Sequence, residues 1–440
     1  MSTATTRLLQ TGWNSLRPGL FARHVATLAG GTAVSQVIIL SSAPLLTRLY
    51  SPEAFGIAGA FLSLQAILLC MMCGGYEFAT PVAEDEQTAA NLTVLCGGFA
   101  IAMAATFALI VWFAGDWVVA LGDNSAWKPY LWLLPLVLLV GAWLNAILYW
   151  SLRKKAYAQI SHARIAQATS RALLQGAMGW AWAGPLGLIL GEALAIVGGA
   201  GILGRLVLTE SFDLFRKVSV AGIVSAAKRY VRFPLLTMPG SLVGGMATGL
   251  PCVLLPILFG TTEAGLFFVA RRLAFAPTTL IGCAVGNVFF VELAEGRKDK
   301  QKIVRQFFRL SSVLLAVALL GAFVLYTAPS WAALLFGDEW DQTGWILAAM
   351  APMLIGWFVV TPLSRVYYIF EKQHLLAGLE LLRFVLTAAV LFIGASTGLS
   401  VLAVVLWLSV VMLLVYCLNW VVMASILKQV RQDNFPDPVD

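Results

Sequence analysis

Long apolar runs separated by short polar breaks dominate the pattern along this chain. Twelve such runs occur, at 27–46, 55–73, 90–113, 130–150, 164–183, 186–204, 233–255, 264–290, 308–326, 343–367, 376–394 and 399–426. A helix needs about 20 residues to cross a ~30 Å hydrocarbon core, and the runs lack the alternation of an outer-membrane barrel. The pattern therefore predicts an all-α integral membrane protein with about twelve transmembrane helices.

The two halves of the chain resemble each other. The segment Leu49–Gly56, after the first run, matches Leu258–Gly265, after the seventh. Because six is an even number of helices, both copies of the repeat have the same orientation in the membrane. We therefore expect the ligand to bind in a cleft between the two halves. We also expect alternating access, in which one half rocks against the other. The predicted divisions are an N-terminal segment 1–26, a first bundle 27–204, a linker 205–232, a second bundle 233–426 and a tail 427–440.

Composition and charge placement agree with a membrane protein. The chain is 60% hydrophobic and 12% charged, where soluble domains carry about 25% charged residues. Of 29 basic residues, 22 fall on the side that holds the termini, which predicts that both termini are cytoplasmic. The net charge of +7 is explained by this topology and not by nucleic acid. Linker 205–232 is basic and amphipathic, so we expect it to contact anionic lipid headgroups.

Five arginines lie inside predicted spans, where a cation costs about 3 kcal/mol. Arg271 and Arg272 are the strongest candidates to face a cavity that binds an anionic substrate. Neighbours on a helix point about 100° apart, so one arginine is expected to bind ligand while the other pairs with a neighbouring helix. The alternative is that both snorkel or form structural ion pairs. Weaker substrate-binding candidates are Arg171, Arg48 and Arg365, and Arg383 has Glu380 one turn away.

The seventh and eighth runs contain residues that bend helices or let them approach closely. These candidate gate or hinge positions are Pro239, Gly240, Gly244, Gly245, Gly249, Pro251 and Pro277. An interior proline removes a backbone hydrogen bond, and glycines four residues apart permit tight helix contact. The two interpretations are a bending gate helix and tight packing alone.

The sequence contains no catalytic constellation. The three histidines lie at span edges, no paired metal-ligand spacing occurs, and no phosphate-binding loop follows a strand. The six cysteines lie in apolar spans and are interpreted as small buried hydrophobic residues. Glu77, at the end of the second run, is either a counter-ion or coupling residue for an internal arginine or a solvated side chain. No enzyme, metal or cofactor is expected.

Several of these segments together resemble one family. They are Thr47 to Gly56, Tyr76 to Ala79 before an acidic turn, Lys228 to Pro234, and Ala264 to Phe267 followed by Ala270 to Arg272 and Pro277. The chain is similar to the polysaccharide-transport family of the MOP exporter superfamily, which includes bacterial O-antigen and other lipid-linked oligosaccharide flippases. Many relatives carry an arginine just before the Tyr-Glu pair, where Gly75 stands here.

The resemblance implies V-shaped six-helix bundles in the bacterial inner membrane. It also implies a cationic lumen and transfer of an undecaprenyl-pyrophosphate-linked glycan from the cytoplasmic to the periplasmic leaflet. The polymerase and chain-length regulator of the same pathway are candidate partners. One alternative is a multidrug or small-molecule exporter of the same superfamily, although runs one and seven hold no acidic residue. Another is a membrane polymerase or glycosyltransferase, which the short outer loops disfavour.

Overall fold

Twelve long helices make up most of the part of the protein that the structure describes. The structure is a computed structural model that describes residues 18–120, 128–181, 184–295, 300–370 and 372–432. The helices are α1 (Pro18–Leu49), α2 (Pro52–Met72), α3 (Glu86–Ala120), α4 (Leu134–Arg153), α5 (Tyr157–Ala181), α6 (Pro185–Glu210), α7 (Met238–Phe259), α8 (Thr261–Glu295), α9 (Lys300–Tyr326), α10 (Asp341–Leu363), α11 (Gln373–Ser396) and α12 (Val401–Gln432). No strand occurs in these ranges, and the predicted all-α membrane fold is confirmed.

Ten of the described helices are long and apolar enough to cross a membrane. They correspond to α1–α4, α6, α7 and α9–α12, whereas α5 and α8 are the two that carry Arg171 and the pair Arg271–Arg272. Both of these helices thus carry arginines away from their ends.

Several helices extend past the apolar runs that predict them. Helix α1 begins at Pro18, so part of the predicted segment 1–26 is helical, and residues 1–17 lie outside the described ranges. Helix α6 continues to Glu210, six residues beyond the predicted end of the first bundle. Helix α12 likewise continues to Gln432. Hydropathy reports only the part of a helix that suits lipid, while backbone hydrogen bonding continues into the polar flanks.

The two six-helix halves pack in the same way. In the first half α1 contacts α5, α3 contacts α4, α4 contacts α6, and α5 contacts α6. In the second half the equivalent pairs, each six helices later, are also in contact. The halves meet through α1 and α2 on one side and α7 and α8 on the other. The internal repeat read from the sequence thus has a counterpart in helix packing.

The start of α2 and the start of α8 cross at very short range. A Cβ atom added to Gly56 would lie far inside contact distance of the Thr261 carbonyl oxygen. A Cβ atom added to Gly265 would meet the Pro52 carbonyl oxygen in the same way. Gly56 and Gly265 occupy matching positions of the repeat, as do Pro52 and Thr261, so the contact is reciprocal about the axis that relates the halves.

A tryptophan of the second half contacts the first half at this same end of the molecule. We call it the α1–α2 end, because residues 50 and 51 join α1 to α2 there. The Trp340 indole Nε1 donates a hydrogen bond of 2.8 Å to the Thr47 carbonyl oxygen. Its ring meets Phe55 edge-on with centroids 5.2 Å apart, and the side chain is 1% exposed. The two halves are therefore in direct contact at this end.

The opposite end carries the connection between the halves. After α6 come two short helices, Phe212–Arg216 and Val220–Arg229, and a π-helical turn, Phe233–Thr237, leads into α7. The Tyr76 hydroxyl donates to the Ala227 carbonyl oxygen at 3.2 Å, and Arg229 forms an ion pair with Glu84. The linker is thereby attached to the turn that follows α2.

Candidate functional site

A cavity inside the second half is lined by two arginines and four aromatic rings, and we call it the arginine cavity. Arg271 of α8 and Arg383 of α11 line it. Its other lining residues come from α7, α8, α10, α11 and α12 and are Ala247, Thr248, Pro251, Phe267, Phe275, Met353, Trp357, Thr387, Leu408, Met412 and Tyr416. The volume is about 40 Å³, which accommodates only two or three water molecules. Both arginines therefore line a small cavity between helices of the second half.

Thr248 of α7 connects the two arginines. Its carbonyl oxygen accepts from Arg271 Nη2 at 3.0 Å, and its hydroxyl oxygen accepts from Arg383 Nη2 at 2.9 Å. Arg271 Nη1 also reaches the Cys252 sulfur at 3.5 Å. Because neutral groups supply all of these contacts, the positive charge of Arg271 is not neutralised within the cavity.

Arg383 is the more enclosed of the two arginines. It is 7% exposed and forms an ion pair of 2.6 Å with Glu380, one turn earlier on α11. Its Nη1 donates to the Tyr416 hydroxyl at 3.2 Å, while its Nε has no hydrogen-bond partner among the described residues. Two guanidinium groups against one carboxylate leave the cavity with a net positive charge.

Aromatic rings complete the cavity wall. Each guanidinium lies 5.5 Å from a ring centroid, Arg271 over Phe275 and Arg383 over Trp357. The Trp357 ring contacts the Phe275 ring edge-on at 5.1 Å, and the Trp357 Nε1 donor is buried without a partner in the described ranges. Cation–π contacts hold both guanidinium planes in place, and buried donors remain available to an acceptor-rich ligand.

Arg272 points away from the arginine cavity. It lies in a separate small pocket between α1 and α8, beside Leu46, Thr47 and Phe55. It is within electrostatic range of Arg171 on α5 and Glu192 on α6. The adjacent arginines thus divide between the two halves of the molecule, with Arg271 in the second half and Arg272 at the interface with the first.

Arg171 forms an ion pair with Glu192 between α5 and α6. Both side chains are largely enclosed, and each is about one-sixth exposed, at 18% and 17%. This pair explains how α5 carries an arginine within the bundle, because each partner compensates the desolvation of the other.

Replacing Arg171 alone by glutamine is expected to destabilise the protein by about 3–5 kcal/mol, because the largely enclosed Glu192 loses its ion-pair partner and the charge of Arg272, within electrostatic range, does not replace that direct contact. The double variant R171Q/E192Q is expected to recover most of that loss. The measurement is the fraction of monodisperse detergent-solubilised protein that survives heating. Equal stability of the single variant and the wild type would contradict the assigned pairing.

The remaining candidates lie outside the arginine cavity. Arg48 is exposed on the last turn of α1, in a cleft beside Asp338, Glu339 and Trp340. Arg365 is half-buried at the start of the short helix Arg365–Ile369. The arrangement brings neither residue together with Arg271.

The candidate hinge residues on α7 fall into two groups. A Cβ atom added to Gly245 would lie 3.2 Å from the Cys70 sulfur, and one added to Gly249 would lie 2.9 Å from the Ile67 side chain. A Cβ atom added to Gly240 or Gly244 would meet nothing within 4 Å. Close approach to α2 thus involves the 245/249 pair. Of the prolines, Pro239 is in the first turn of α7, Pro251 lines the arginine cavity, and Pro277 belongs to α8.

Glu77 lies at the end of the molecule opposite to Trp340. It belongs to the short 3₁₀ helix Tyr76–Phe78 and is 1% exposed. Burial raises the pKa of the Glu77 carboxyl to about 7, and its Oε2 has no hydrogen-bond partner among the described residues. The structure therefore places Glu77 in the protein interior and not in solvent, and no arginine forms an ion pair with it in the described ranges.

The sequence makes Arg383 a weaker site candidate than Arg271, whereas the structure places both in the lining of the arginine cavity. The pairing with Glu380, three residues earlier, is visible in the sequence, and the structure contains it. The meeting of Arg383 with Arg271 depends on how α7, α8 and α11 pack, which no local pattern reports. The sequence feature that could have indicated this meeting is that Arg271 and Arg383 each interrupt an apolar run of the second half.

The fold is similar to that of solved membrane transporters. The structure is similar to a multidrug resistance MATE family transporter of the MOP superfamily in its inward-facing conformation, with a TM-score of 0.72, 14% identity and coverage of 93% of this chain and 96% of that chain. It is also similar to the lipid II flippase MurJ in an inward closed conformation, with a TM-score of 0.69, 13% identity and 93% coverage of each chain.

A family model described as "Polysaccharide biosynthesis protein" matches residues 45–344, and the chain belongs to that family. The chain is also 24% identical over 414 residues to the succinoglycan biosynthesis transport protein ExoT of Rhizobium meliloti (strain 1021), which covers 90% of this chain and 79% of that protein. The protein is thus a multi-pass membrane protein of the polysaccharide biosynthesis family, and its fold resembles that of MOP-superfamily transporters. The family resemblance inferred from the sequence is confirmed.

Proposed function

We propose that this protein is a flippase for a lipid-linked oligosaccharide. Its substrate is an undecaprenyl-pyrophosphate-linked repeat unit, moved from the cytoplasmic to the periplasmic leaflet of the bacterial inner membrane. The translocated repeat unit is then used to synthesise a surface polysaccharide such as O-antigen, capsule or exopolysaccharide.

The arginine cavity is the observation that carries this proposal. Arg271 and Arg383 present guanidinium groups whose charge exceeds that of Glu380, the only carboxylate near them among the described residues. Pyrophosphate and acidic sugars are acceptor-rich anions, and the planar guanidinium fork matches such groups with paired, charge-assisted hydrogen bonds. A net positive charge in this cavity disfavours cationic compounds as substrates.

The small size of the cavity supports an alternating-access mechanism. At about 40 Å³ it is too small for a pyrophosphate with sugars attached, so helices must separate before substrate enters. Pro251 contributes no backbone N–H, which leaves the Ala247 carbonyl oxygen without its helical partner and weakens α7 beside Arg271. Bending of α7 there, with Gly245 and Gly249 moving along α2, is the opening movement that we propose.

The proposed membrane arrangement rests on the distribution of charge. Both termini and the linker 205–232 are placed in the cytoplasm, where Arg216, Lys217 and Lys228 face anionic lipid headgroups. The α1–α2 end then faces the periplasm and is closed by Trp340 and by the contact of Gly56 with Thr261. The polymerase and chain-length regulator of the same pathway are the proposed protein partners.

Deletion of the gene is expected to abolish surface polysaccharide and to leave undecaprenyl-linked repeat units on the cytoplasmic face. Mass spectrometry of the accumulated lipid identifies the unit, and its inaccessibility to a glycan-modifying reagent applied to intact spheroplasts reports the face. Normal surface polysaccharide with altered drug sensitivity would contradict the proposal in favour of small-molecule export. Repeat units that reach the outer leaflet but are not polymerised would indicate a polymerase role instead.

A further inference from the structure

Two cysteines and a glutamate meet inside the first half, away from the arginine cavity. The Cys73 and Cys96 sulfur atoms and a Glu77 carboxylate oxygen all lie within 4.8 Å of one another. Both cysteines are 0% exposed and Glu77 is 1% exposed. These three side chains have the donor atoms of a metal site, and no ion-pair partner neutralises the carboxylate in the described ranges.

The local backbone explains how these side chains converge. Cys73 is the C-cap residue directly after α2, and the next two residues, Gly74 and Gly75, have φ angles of 63° and 76°. This left-handed pair, which favours glycine, turns the chain so that Glu77 lies close to the cysteine four positions earlier. Cys96 comes from α3, which packs beside this turn. The ligands therefore come from three different elements that the fold brings together.

The hydrogen bonding of the cluster is incomplete. The Cys73 thiol donates a weak hydrogen bond to the Ala142 carbonyl oxygen at 3.5 Å and also interacts with the Cys96 thiol, while Glu77 Oε2 has no hydrogen-bond partner among the described residues. A buried oxygen without a partner forfeits its hydration, at a cost of about 1–3 kcal/mol for a neutral group and more for a charged one. A cation at the centre of the three groups would satisfy that oxygen and both sulfur atoms at once.

We propose that Cys73, Glu77 and Cys96 bind one thiophilic metal ion, of the class of Zn²⁺ or Cu⁺. Thiolates select such metals, and zinc also accepts a carboxylate oxygen. Metal–sulfur bonds of about 2.3 Å in tetrahedral geometry separate ligand atoms by roughly 3.8 Å. The observed separations, of at most 4.8 Å, reach that value through small side-chain rotations.

The position of the site means that a bound metal ion would stabilise the connection between the two halves. The turn that carries Glu77 also contacts the connection between the halves, through the Tyr76 hydroxyl at Ala227 and through Gly75 beside Phe233. A metal ion that joins this turn to α3 fixes the surface against which the second half moves. The site thus stabilises one part of the transporter independently of which substrate the arginine cavity accepts.

Cadmium titration of the purified full-length protein tests the site directly. The protein is prepared with a tag that does not bind metal, treated with chelator under reducing conditions and titrated with Cd²⁺. One equivalent is expected to bind, with a thiolate-to-cadmium charge-transfer band in the ultraviolet. The variants Cys73→Ser and Cys96→Ser are each expected to weaken binding by at least about tenfold, since even outer-shell changes cost that much. Glu77→Gln is expected to weaken it while retaining the band.

The matched control is Cys417→Ser, which removes an exposed cysteine of α12 and is expected to leave binding unchanged. A second measurement needs no variant in the cluster. Under mildly denaturing conditions that open the cluster, Cd²⁺ is expected to slow alkylation of Cys73 and Cys96 in the wild type, while Cys417 reacts at the same rate with and without metal. Equal binding by the wild type and the C73S/C96S variant, or a disulfide between these cysteines in the protein as purified under non-reducing conditions, would overturn the proposal.

Discussion

Replacing Arg271 and Arg383 together by alanine is expected to abolish restoration of surface polysaccharide in a deletion strain. The two side chains are the cations of the arginine cavity, and Thr248 holds both in one orientation. Each charge-assisted hydrogen bond to a substrate anion contributes about 1.5–3 kcal/mol, so the loss of both corresponds to at least about a 100-fold reduction in transport. The measurement is surface polysaccharide per unit of membrane protein.

The corresponding lysine substitutions separate charge from geometry. Lysine retains the positive charge but lacks the planar fork that binds two anion oxygens at once. Arg271→Lys is therefore expected to retain partial transport, between the values of the wild type and Arg271→Ala. A lysine variant as inactive as the alanine variant would indicate that hydrogen-bond geometry, and not charge, dominates recognition.

Folding must be distinguished from substrate binding in this experiment, because loss of Arg383 leaves Glu380 buried without its partner. The double variant R383Q/E380Q removes both charges of that ion pair and is expected to restore protein level without restoring transport. Arg309→Ala, which removes an exposed arginine of α9, is the control and is expected to retain full transport. Normal transport by R271A/R383A at normal protein level would refute the role proposed for the cavity.

The fold was predictable because a membrane imposes its constraints on short stretches of sequence. Each span must be apolar over about 20 residues, so the twelve runs predict the twelve helices without knowledge of their contacts. The ends of the helices were less predictable, because α1 begins at Pro18 and α12 ends at Gln432, both beyond the apolar runs. The linker also contains two short helices and a π-helical turn that hydropathy does not distinguish.

The candidate site was predictable only in part, for a physical reason. The position of Arg271 inside an apolar helix is a local fact, and the divergence from Arg272 follows from helix geometry. The meeting of Arg271 with Arg383 joins two residues more than one hundred positions apart and depends on side-chain packing around Thr248. The approach of Cys96 to Cys73 likewise depends on the turn at Gly74, and no sequence periodicity records it.

Alanine at Gly56 or at Gly265 is expected to prevent closure of the α1–α2 end and to reduce transport severely. In each case the new Cβ atom would overlap a backbone carbonyl oxygen of the facing helix, that of Thr261 or that of Pro52. Backbone cannot rotate away as a flexible side chain can, so the helices must separate. Because the contact is reciprocal, the two variants are expected to have the same defect.

A buried reporter measures the closure. Thr47 is 4% exposed, and its carbonyl oxygen accepts the hydrogen bond of Trp340, so a cysteine introduced there is shielded while the end is closed. Maleimide labelling of Thr47→Cys in detergent-solubilised protein is expected to rise severalfold when either glycine is replaced by alanine. Working in detergent makes the result independent of membrane orientation.

Gly321→Ala is the matched control for these glycine substitutions. Gly321 lies within α9, and a Cβ atom added there meets nothing within 4 Å. Alanine is favoured over glycine by about 0.5–1 kcal/mol in a helix interior, so this variant is expected to be at least as stable as the wild type and fully active. If G56A and G265A label like the control, or if only one of them loses transport, the reciprocal crossing of α2 and α8 is not what closes the transporter.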